Sequence, residues 1–238
     1  MGSGVLDGVR RFVELRVLGA ALIVGACLWA FFGLADEVME GETHDLDAAL
    51  LLALRNPNDL SDPIGGVAVE EMARDITALG GVTIVAGVTI AVCGLLWLMR
   101  KRRTSLFVAL AVTGGAILST GFKQFFDRPR PDLVPHEVLV HSASFPSGHS
   151  MLAAVTYLTL ATLVASVEAR QAVKIYVIAV AVLVVIAVGF SRVYLGVHWP
   201  TDVAAGWTAG TAWAIGCWGV ARWLQRRGDI EPAPPTQP

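Results

Sequence analysis

The feature that most limits the fold of this chain is a set of six long runs that carry no charged residue. The runs are 18, 22, 18, 18, 16 and 19 residues long, and a helix needs roughly 17–25 apolar residues to cross a bilayer. Only 16% of the 238 residues are charged, against about 25% in a typical soluble domain. This disfavours the alternative of a soluble protein with buried core helices. The runs are Val17–Leu34, Ala78–Met99, Ser105–Phe122, Ser150–Val167, Ile175–Phe190 and Val203–Ala221.

These runs predict an all-α, polytopic membrane protein with six transmembrane helices. The short fifth run extends to 172–190 if Lys174 reaches the membrane interface. The first run is longer than the core of a usual signal peptide, and no good small-x-small cleavage site follows it, so we interpret it as a retained helix. We expect residues 1–227 to form one six-helix membrane domain and the proline-rich tail, residues 228–238, to be disordered.

The distribution of basic residues predicts the orientation of the chain. With six spans and both termini on one side, that side carries 12 of the 18 Lys and Arg residues, including the run Arg100–Arg103. The positive-inside rule places this side in the cytoplasm. We therefore expect a multi-pass protein of the cell membrane whose other side faces the periplasm or the exterior.

Short helices are expected on that outer side. The segment Ala35–Thr77 is acidic, with 11 Asp and Glu residues. Its apolar nonamer Leu46–Leu54 is too short to span a bilayer and predicts a short interfacial helix. Apolar residues recur at helical spacing over Ile64–Ile76, which predicts an amphipathic helix that leads into the second span. Glu70 and Arg74 form an i,i+4 pair on its solvated face.

Three short pieces of the chain, all expected on the outer side, carry residues suited to phosphate chemistry. They have the patterns K-x6-R-P over Lys123–Pro131, P-S-G-H over Pro146–His149, and S-R-x5-H-x3-D over Ser191–Asp202. Together they supply fixed cations, a small-residue turn with backbone donors, and two histidines. These groups are what a protein needs to hold a tetrahedral dianion and transfer it to an imidazole.

The cations Lys123, Arg130 and Arg192 can hold the oxygens of a phosphoryl group, and arginine can engage two oxygens at once. The alternative is that they anchor helices to lipid headgroups. They are, however, three of only six Lys and Arg residues on the predicted outer side. Ser147 and Gly148 begin a helix, where free backbone N–H groups and the helix dipole favour an anion, and the Ser147 hydroxyl can also donate. Taken alone, such a turn is usually only a helix cap.

His198 and Asp202 are four residues apart, and Pro200 fits between them in the first turn of a helix. This spacing allows the carboxylate to hold one ring nitrogen and leaves the other as a nucleophile. His149 is then the candidate general acid for the leaving oxygen. The rival interpretation is a metal site formed by His149, His198 and Asp202. The zincin pattern is absent and nearby cations would repel a metal ion, so we expect no metal.

The three patterns resemble the signature of the type 2 phosphatidic acid phosphatase and vanadium haloperoxidase superfamily, in its integral-membrane lipid phosphatase branch. The resemblance implies that His198 is the phosphorylated nucleophile, that Asp202 orients it, and that His149 is the general acid and later the base for water. It implies a phosphate cradle and no metal or other cofactor. The cradle residues are Lys123, Arg130, Ser147, Gly148 and Arg192.

The expected function is therefore hydrolysis of a membrane lipid phosphate or pyrophosphate, such as phosphatidic acid, phosphatidylglycerol phosphate or undecaprenyl pyrophosphate. Two other classes remain. A haloperoxidase is disfavoured because those enzymes are soluble. The other class is a transporter or a non-catalytic lipid-binding protein, and transport is disfavoured because no charge lies within the six runs. The expected partners are the lipid substrate and the bilayer, with no nucleic acid. The sequence leaves open the preferred lipid, the oligomeric state, and whether the loop histidines His136 and His141 contact a headgroup.

Overall fold

The structure is a computed structural model that describes residues 3–135 and 142–229 of the chain. Within this part, a π-helical turn, Ala154–Leu158, joins α6 to α7, and the only strands are a short antiparallel pair, β1 (Arg55–Asn56) and β2 (Asp59–Pro63). The all-α prediction therefore holds apart from this small hairpin. The helices are α1 (Ser3–Glu40), α2 (His44–Leu52), α3 (Gly66–Ala78), α4 (Val82–Leu98), α5 (Arg102–Phe126), α6 (Gly148–Ala153), α7 (Thr159–Val167), α8 (Gln171–Tyr194) and α9 (Pro200–Arg227).

All six charge-free runs lie mainly in helices, and most of these helices are suited to a bilayer. By length and apolar composition, four helical segments of the described residues could cross a membrane, or five if the bent pair α3 and α4 counts as one span. The multi-pass membrane protein is thus supported, while the count of six spans stays a prediction. The four are Val17–Glu40, Arg102–Phe126, Gly148–Ser166 and Gln171–Tyr194.

Helix α9 contains the sixth run but lies in the middle of the bundle, where it packs against α1, α5, α6, α7 and α8. Its buried face consists largely of glycine and alanine. A Cβ atom on Gly206 would lie 2.7 Å from the carbonyl oxygen of Ser147, and one on Gly210 would lie 2.7 Å from that of Met151. Small residues therefore bring the backbones of α9 and α6 together. The same residues make α9 less apolar than a lipid-facing helix.

The sequence predicted one span over the second run, Ala78–Met99, but the start of this run is broken in the structure. Helix α3 ends at Ala78, α4 begins at Val82, and the two are bent by 47°. Glycine favours such a break because it loses more entropy in a helix than alanine does. Packing gives a second reason, since a Cβ on Gly80 would lie 2.7 Å from the carbonyl oxygen of His149. We call residues 77–81 the elbow.

The predicted helices of the segment Ala35–Thr77 are present. Helix α2 covers most of the apolar nonamer, and α3 covers most of the predicted amphipathic helix. Glu70 and Arg74 form the expected pair, with 3.3 Å between their charged atoms. The position of these helices relative to a bilayer stays a prediction.

The three sequence patterns meet at one end of the helical bundle. Lys123 lies in the last turn of α5, and Arg192 lies in the last turn of α8. His149 and Asp202 lie in the first turns of α6 and α9. At the opposite end, Arg103 donates to the carbonyl oxygens of Gly228 and Asp229 at 3.2 and 3.1 Å, which ties the start of α5 to the end of α9. Helix α9 ends at Arg227, and the domain boundary after that residue stays a prediction. Residues 230–238 of the predicted tail lie outside the described residues.

Candidate active site

His198 and Asp202 are joined as their spacing predicted. Pro200 opens α9, and the Asp202 carboxylate accepts the backbone N–H of Trp199 at 2.9 Å, so that it caps the helix on which it lies. The Nδ1 atom of His198 is 3.3 Å from Oδ2 of Asp202. Both side chains are buried, with 1% and 0% of their surface exposed. The start of α9 thus fixes the position of the Asp202 carboxylate, and the carboxylate holds the Nδ1 edge of the His198 ring.

The other ring nitrogen of His198 faces Arg130. Nη1 of Arg130 is 3.2 Å from Nε2 of His198, and a guanidinium group can only donate. Nε2 is therefore the unprotonated nitrogen, and Nδ1 carries the hydrogen that points to Asp202. This tautomer leaves the Nε2 lone pair on the side of the cations.

The surroundings of His198 also keep the ring neutral. Burial lowers the pKa of His198 well below its ordinary value of 6.5, and Arg130, Arg192 and Lys123 lower it further. A neutral imidazole is the form that can attack a phosphorus atom. The cations that are suited to bind an anion therefore also keep His198 in its neutral, nucleophilic form.

Two of the cradle cations are held by main-chain oxygens. Lys123 Nζ donates to the carbonyl of Ala143 at 2.7 Å. Arg130 donates to the carbonyls of Ser142 and Val197 at 2.8 and 2.5 Å. Burial lowers the pKa of Arg130 while Asp202 acts in the opposite direction, and an arginine stays charged under these conditions.

The third cation, Arg192, is held by the elbow. Its Nη1 donates to the hydroxyl of Thr77 at 3.0 Å, while its buried Nε has no hydrogen-bond partner among the described residues. An unpaired buried donor is costly, and an anion that accepts a hydrogen bond from Nε would remove this cost. Thr77 was not predicted as part of the site, and its position on a separate helix gave no local signal.

The P-S-G-H turn forms the start of α6. Ser147 caps the helix, since its hydroxyl oxygen accepts from the N–H and the hydroxyl of Ser150 at 3.5 and 2.9 Å. Its own hydroxyl hydrogen remains able to donate to a ligand. At Gly148 a Cβ would lie 3.2 Å from Cε of Lys123, so glycine gives the lysine stem room at the helix start. His149 is half-buried, with Nε2 3.7 Å from where a Cβ on Gly81 would lie.

The Asp202 carboxylate has further partners that sequence reasoning did not identify. Arg128 Nη1 bonds Oδ1 at 2.6 Å, and the hydroxyl of Ser144 donates to Oδ2 and lies 3.3 Å from Nδ1 of His198. The other half of the Arg128 guanidinium bonds Asp47 on α2 at 2.8 Å. The one signal in the sequence for Arg128 was its position inside the first pattern, two residues before Arg130. Asp47 lies 81 residues away from it and gave none.

The structure thus brings the predicted residues into one cluster. Their chemical roles remain predictions, and His136 and His141 lie outside the described residues. In the described ranges, 3–135 and 142–229, there is no group of three His, Cys, Asp or Glu side chains arranged to hold a metal ion. The clustered residues are Lys123, Arg130, Ser147, Gly148, His149, Arg192, His198 and Asp202.

Comparison with known proteins gives consistent matches. Residues 104–226 match the family model of the PAP2 superfamily. Phosphatidylglycerophosphatase B of Bacillus subtilis is 36% identical over 145 residues, which are 60% of this chain and 70% of that protein. An undecaprenyl-diphosphatase of Sulfolobus acidocaldarius is 37% identical over 68 residues, 29% of each chain.

Solved structures show the same similarity. The crystal structure of a transmembrane PAP2 type phosphatidylglycerolphosphate phosphatase from Bacillus subtilis superposes with a TM-score of 0.75 at 28% identity, over 85% of this chain and 98% of that one. The crystal structure of Aquifex aeolicus LpxE gives a TM-score of 0.50 at 26% identity, over 71% of this chain and 91% of that one.

Proposed function

The chain belongs to the PAP2 superfamily, and from this membership we propose that it is a membrane phosphatase that hydrolyses a lipid phosphate or pyrophosphate through a phosphohistidine. One observation carries the proposal. His198 presents an unprotonated Nε2 toward Arg130, in a cluster that also contains Lys123 and Arg192. A neutral nucleophile surrounded by fixed cations is suited to attack on a phosphate dianion.

In the first step the cations bind the phosphoryl oxygens, with the Ser147 hydroxyl and the start of α6 as further donors. Nε2 of His198 attacks phosphorus, and the bond from phosphorus to the leaving oxygen breaks. Asp202 stabilises the positive charge that develops on the ring. His149 gives its proton to the leaving oxygen.

In the second step the phosphohistidine is hydrolysed. His149, now neutral, takes a proton from water, and the water oxygen attacks phosphorus. The P–N bond breaks, its electron pair returns to Nε2, and inorganic phosphate leaves. Charge stabilisation comes from Lys123, Arg130 and Arg192 in both steps, so we expect no requirement for a divalent metal ion.

The lipid substrates to test follow from the relatives. The similar Bacillus subtilis proteins are named for phosphatidylglycerol phosphate, and the Sulfolobus acidocaldarius protein for undecaprenyl diphosphate. We propose phosphatidylglycerol phosphate as the first candidate, because that match covers more of the chain. We further propose that the site faces the periplasm or the exterior, at the end of the bundle opposite the basic turn Arg100–Arg103.

The test uses purified protein in detergent with a chelator present. Wild-type protein should release phosphate from phosphatidylglycerol phosphate, and phosphatidic acid and undecaprenyl pyrophosphate serve as competitors in the panel. With substrate labelled on phosphorus and a quench in alkaline detergent, which preserves the P–N bond, the label should remain on the protein. His198→Ala should release no phosphate and retain no label. Label on the His198→Ala protein, or activity that chelation removes and magnesium restores, would contradict the proposal.

A further inference from the structure

Asp47 is a buried carboxylate at the edge of the candidate site, in a segment outside the family match at residues 104–226. It lies on α2 and is 0% exposed. Its Oδ1 accepts the N–H of Thr201 at 2.9 Å, and its Oδ2 accepts the hydroxyl of Thr201 at 2.6 Å. Thr201 lies in the first turn of α9, so Asp47 caps that helix from outside it. The start of α9 is also where His198 and Asp202 are held.

Arg128 connects Asp47 to Asp202. One terminal nitrogen is 2.8 Å from Oδ2 of Asp47, and the other is 2.6 Å from Oδ1 of Asp202. The guanidinium is planar and rigid, and its two nitrogens can serve two separate carboxylates. A continuous row of polar contacts therefore runs from α2 through Arg128 and Asp202 to the ring of His198.

The charges of this row and of the cradle balance a phosphate. Four cations, Lys123, Arg128, Arg130 and Arg192, meet two carboxylates, Asp47 and Asp202. With both histidines neutral before substrate binds, this leaves two positive charges, which a phosphate monoester dianion neutralises. The proton that His149 gives to the leaving oxygen is taken up together with the substrate. Without Asp47, the Arg128 charge would be balanced by Asp202 alone. The guanidinium would then compete with His198 for that carboxylate.

We propose that Asp47, acting through Arg128, is a positioning residue that keeps Asp202 oriented toward Nδ1 of His198. The inference rests on the proposed phosphatase function and deepens it. Asp47 does not touch the substrate. Its loss should therefore slow the transfer of the phosphoryl group to His198 while leaving phosphate binding nearly intact.

The principal test compares Asp47→Asn with Asp45→Asn. The two residues lie on the same helix, but Asp45 is exposed. We expect Asp47→Asn to lower kcat and the rate of phosphohistidine formation by about 10- to 100-fold, by analogy with the loss of a group that orients a metal-bound histidine. KM and the inhibition constant for vanadate should stay within about twofold. Asp45→Asn should match wild type. Wild-type kcat in Asp47→Asn, or a loss confined to KM, would overturn the inference.

Two further variants separate positioning from a loss of folding. Arg128→Lys keeps the charge but cannot serve two carboxylates with separate rigid nitrogens, so we expect about a 10-fold loss of kcat. The double variant Asp47→Asn/Arg128→Gln should lose no more than the worse of its two single variants, because both act through one contact row. Multiplicative losses, or wild-type activity in Arg128→Lys, would overturn the inference.

Rates are expressed per folded protein, which is isolated as the monodisperse fraction in size-exclusion chromatography. If wild-type protein releases no phosphate from any lipid, the proposed function fails. If wild type is active and Asp47→Asn equals it, only the present inference fails.

Discussion

At the scale of single residues, the state of the His198 ring decides whether the site can work. Its Nε2 accepts from Arg130 while Nδ1 faces Asp202, and this fixes the tautomer. Burial and three neighbouring cations lower its pKa. The unfolded chain has none of these restraints, so the protonation of this one side chain differs between the folded and unfolded states.

This difference predicts how stability depends on pH. Above the ordinary pKa of 6.5 both states hold His198 neutral, and the residue contributes nothing. Below it the unfolded chain binds a proton that the folded protein does not, so the free energy of unfolding falls as the pH falls, by at most about 1.4 kcal/mol per pH unit. The loss continues until the folded pKa is reached.

Thermal melting in detergent between pH 7.5 and about pH 5 measures this contribution. We expect the melting temperature of wild-type protein to fall more steeply below pH 6.5 than that of His198→Gln, which has no group to titrate at this position. The remaining histidines and the carboxylates are common to both proteins and cancel in the comparison. Parallel curves would show that His198 is not held neutral by the fold.

The sequence predicted contacts that depend on short spacing and did not predict those that depend on tertiary packing. The four-residue spacing of His198 and Asp202 determined their contact once a helix began between them. The contact of Arg128 with Asp47 needs α2 to lie against the start of α9. No periodic pattern encodes that packing, so the sequence placed Asp47 on a short outer helix and did not connect it with the site.

At the scale of elements, the elbow between α3 and α4 is the part of the fold that most directly supports the site. Thr77 binds Arg192 on one side of the bend, and the backbone of Gly80 lies against His149. The hydroxyl of Tyr157 donates to the carbonyl of Leu79 at 2.8 Å and ties the elbow to the π-helical turn. The bend therefore aligns two of the three sequence patterns.

Gly80→Ala should disturb this alignment. The new Cβ would lie 2.6 Å from Val188 and 2.7 Å from the carbonyl oxygen of His149, and overpacking of this kind commonly costs about 1–3 kcal/mol. We expect a lower melting temperature and reduced phosphate release. Gly87→Ala on α4 is the matched control, since a Cβ there meets nothing within 4 Å and alanine favours a helix. If both variants behave like wild type, the elbow does not depend on close approach at Gly80.

Helix α9 shows why an apolar run does not determine where a helix lies. The absence of charge over residues 203–221 predicted a helix, and a helix is present. Gly206 and Gly210 follow the small-xxx-small spacing of close helix contacts. That spacing is present in the sequence, but the prediction of six spans did not use it. The neighbours of α9 were not available, because they depend on the arrangement of the whole bundle.

At the scale of the whole molecule, the dimensions of the bundle match those of a bilayer. Arg103 and Lys123 lie near the two ends of α5, and their separation of 20 residues along the helix corresponds to about 30 Å, the thickness of the hydrocarbon core. The candidate site therefore lies about one core thickness from the basic end. This geometry favours a substrate whose headgroup lies at the membrane surface.

A site at this depth predicts a dependence on the length of the lipid tail. A substrate that keeps its tail in hydrocarbon gains about 0.8 kcal/mol for each buried CH₂ group, whereas a soluble phosphate ester gains nothing. We expect kcat/KM to rise steeply with acyl length for one fixed headgroup and then to level off. A series of phosphatidylglycerol phosphates in mixed micelles, at constant surface concentration, measures this. Equal kcat/KM for short soluble esters and long lipids would contradict binding from the membrane, while leaving the phosphohistidine chemistry intact.

Arginines at the basic end of the bundle lie over indole rings, which is typical of a membrane interface. These pairs place cations and tryptophans together at the end that also holds the turn between α4 and α5. From the positive-inside rule we predict that this end faces the cytoplasm and that the site lies on the outer face. The pairs are Arg102 with Trp97, Arg222 with Trp218 and Arg227 with Trp223, at 4.8, 5.3 and 4.1 Å from the ring centroids.

This assignment predicts which positions an impermeant thiol reagent can reach in intact cells. The native cysteines Cys27, Cys93 and Cys217 are free thiols, so they are first replaced by serine. Asp132 and Arg170 are both exposed, but the predicted topology places them on opposite faces of the membrane. We expect Asp132→Cys to react in intact cells and Arg170→Cys to react only after lysis. The reverse pattern would show that the protein has the opposite orientation in the membrane. Because the site and Asp132 lie at the same end of the bundle, the substrate would then have to come from the cytoplasmic leaflet.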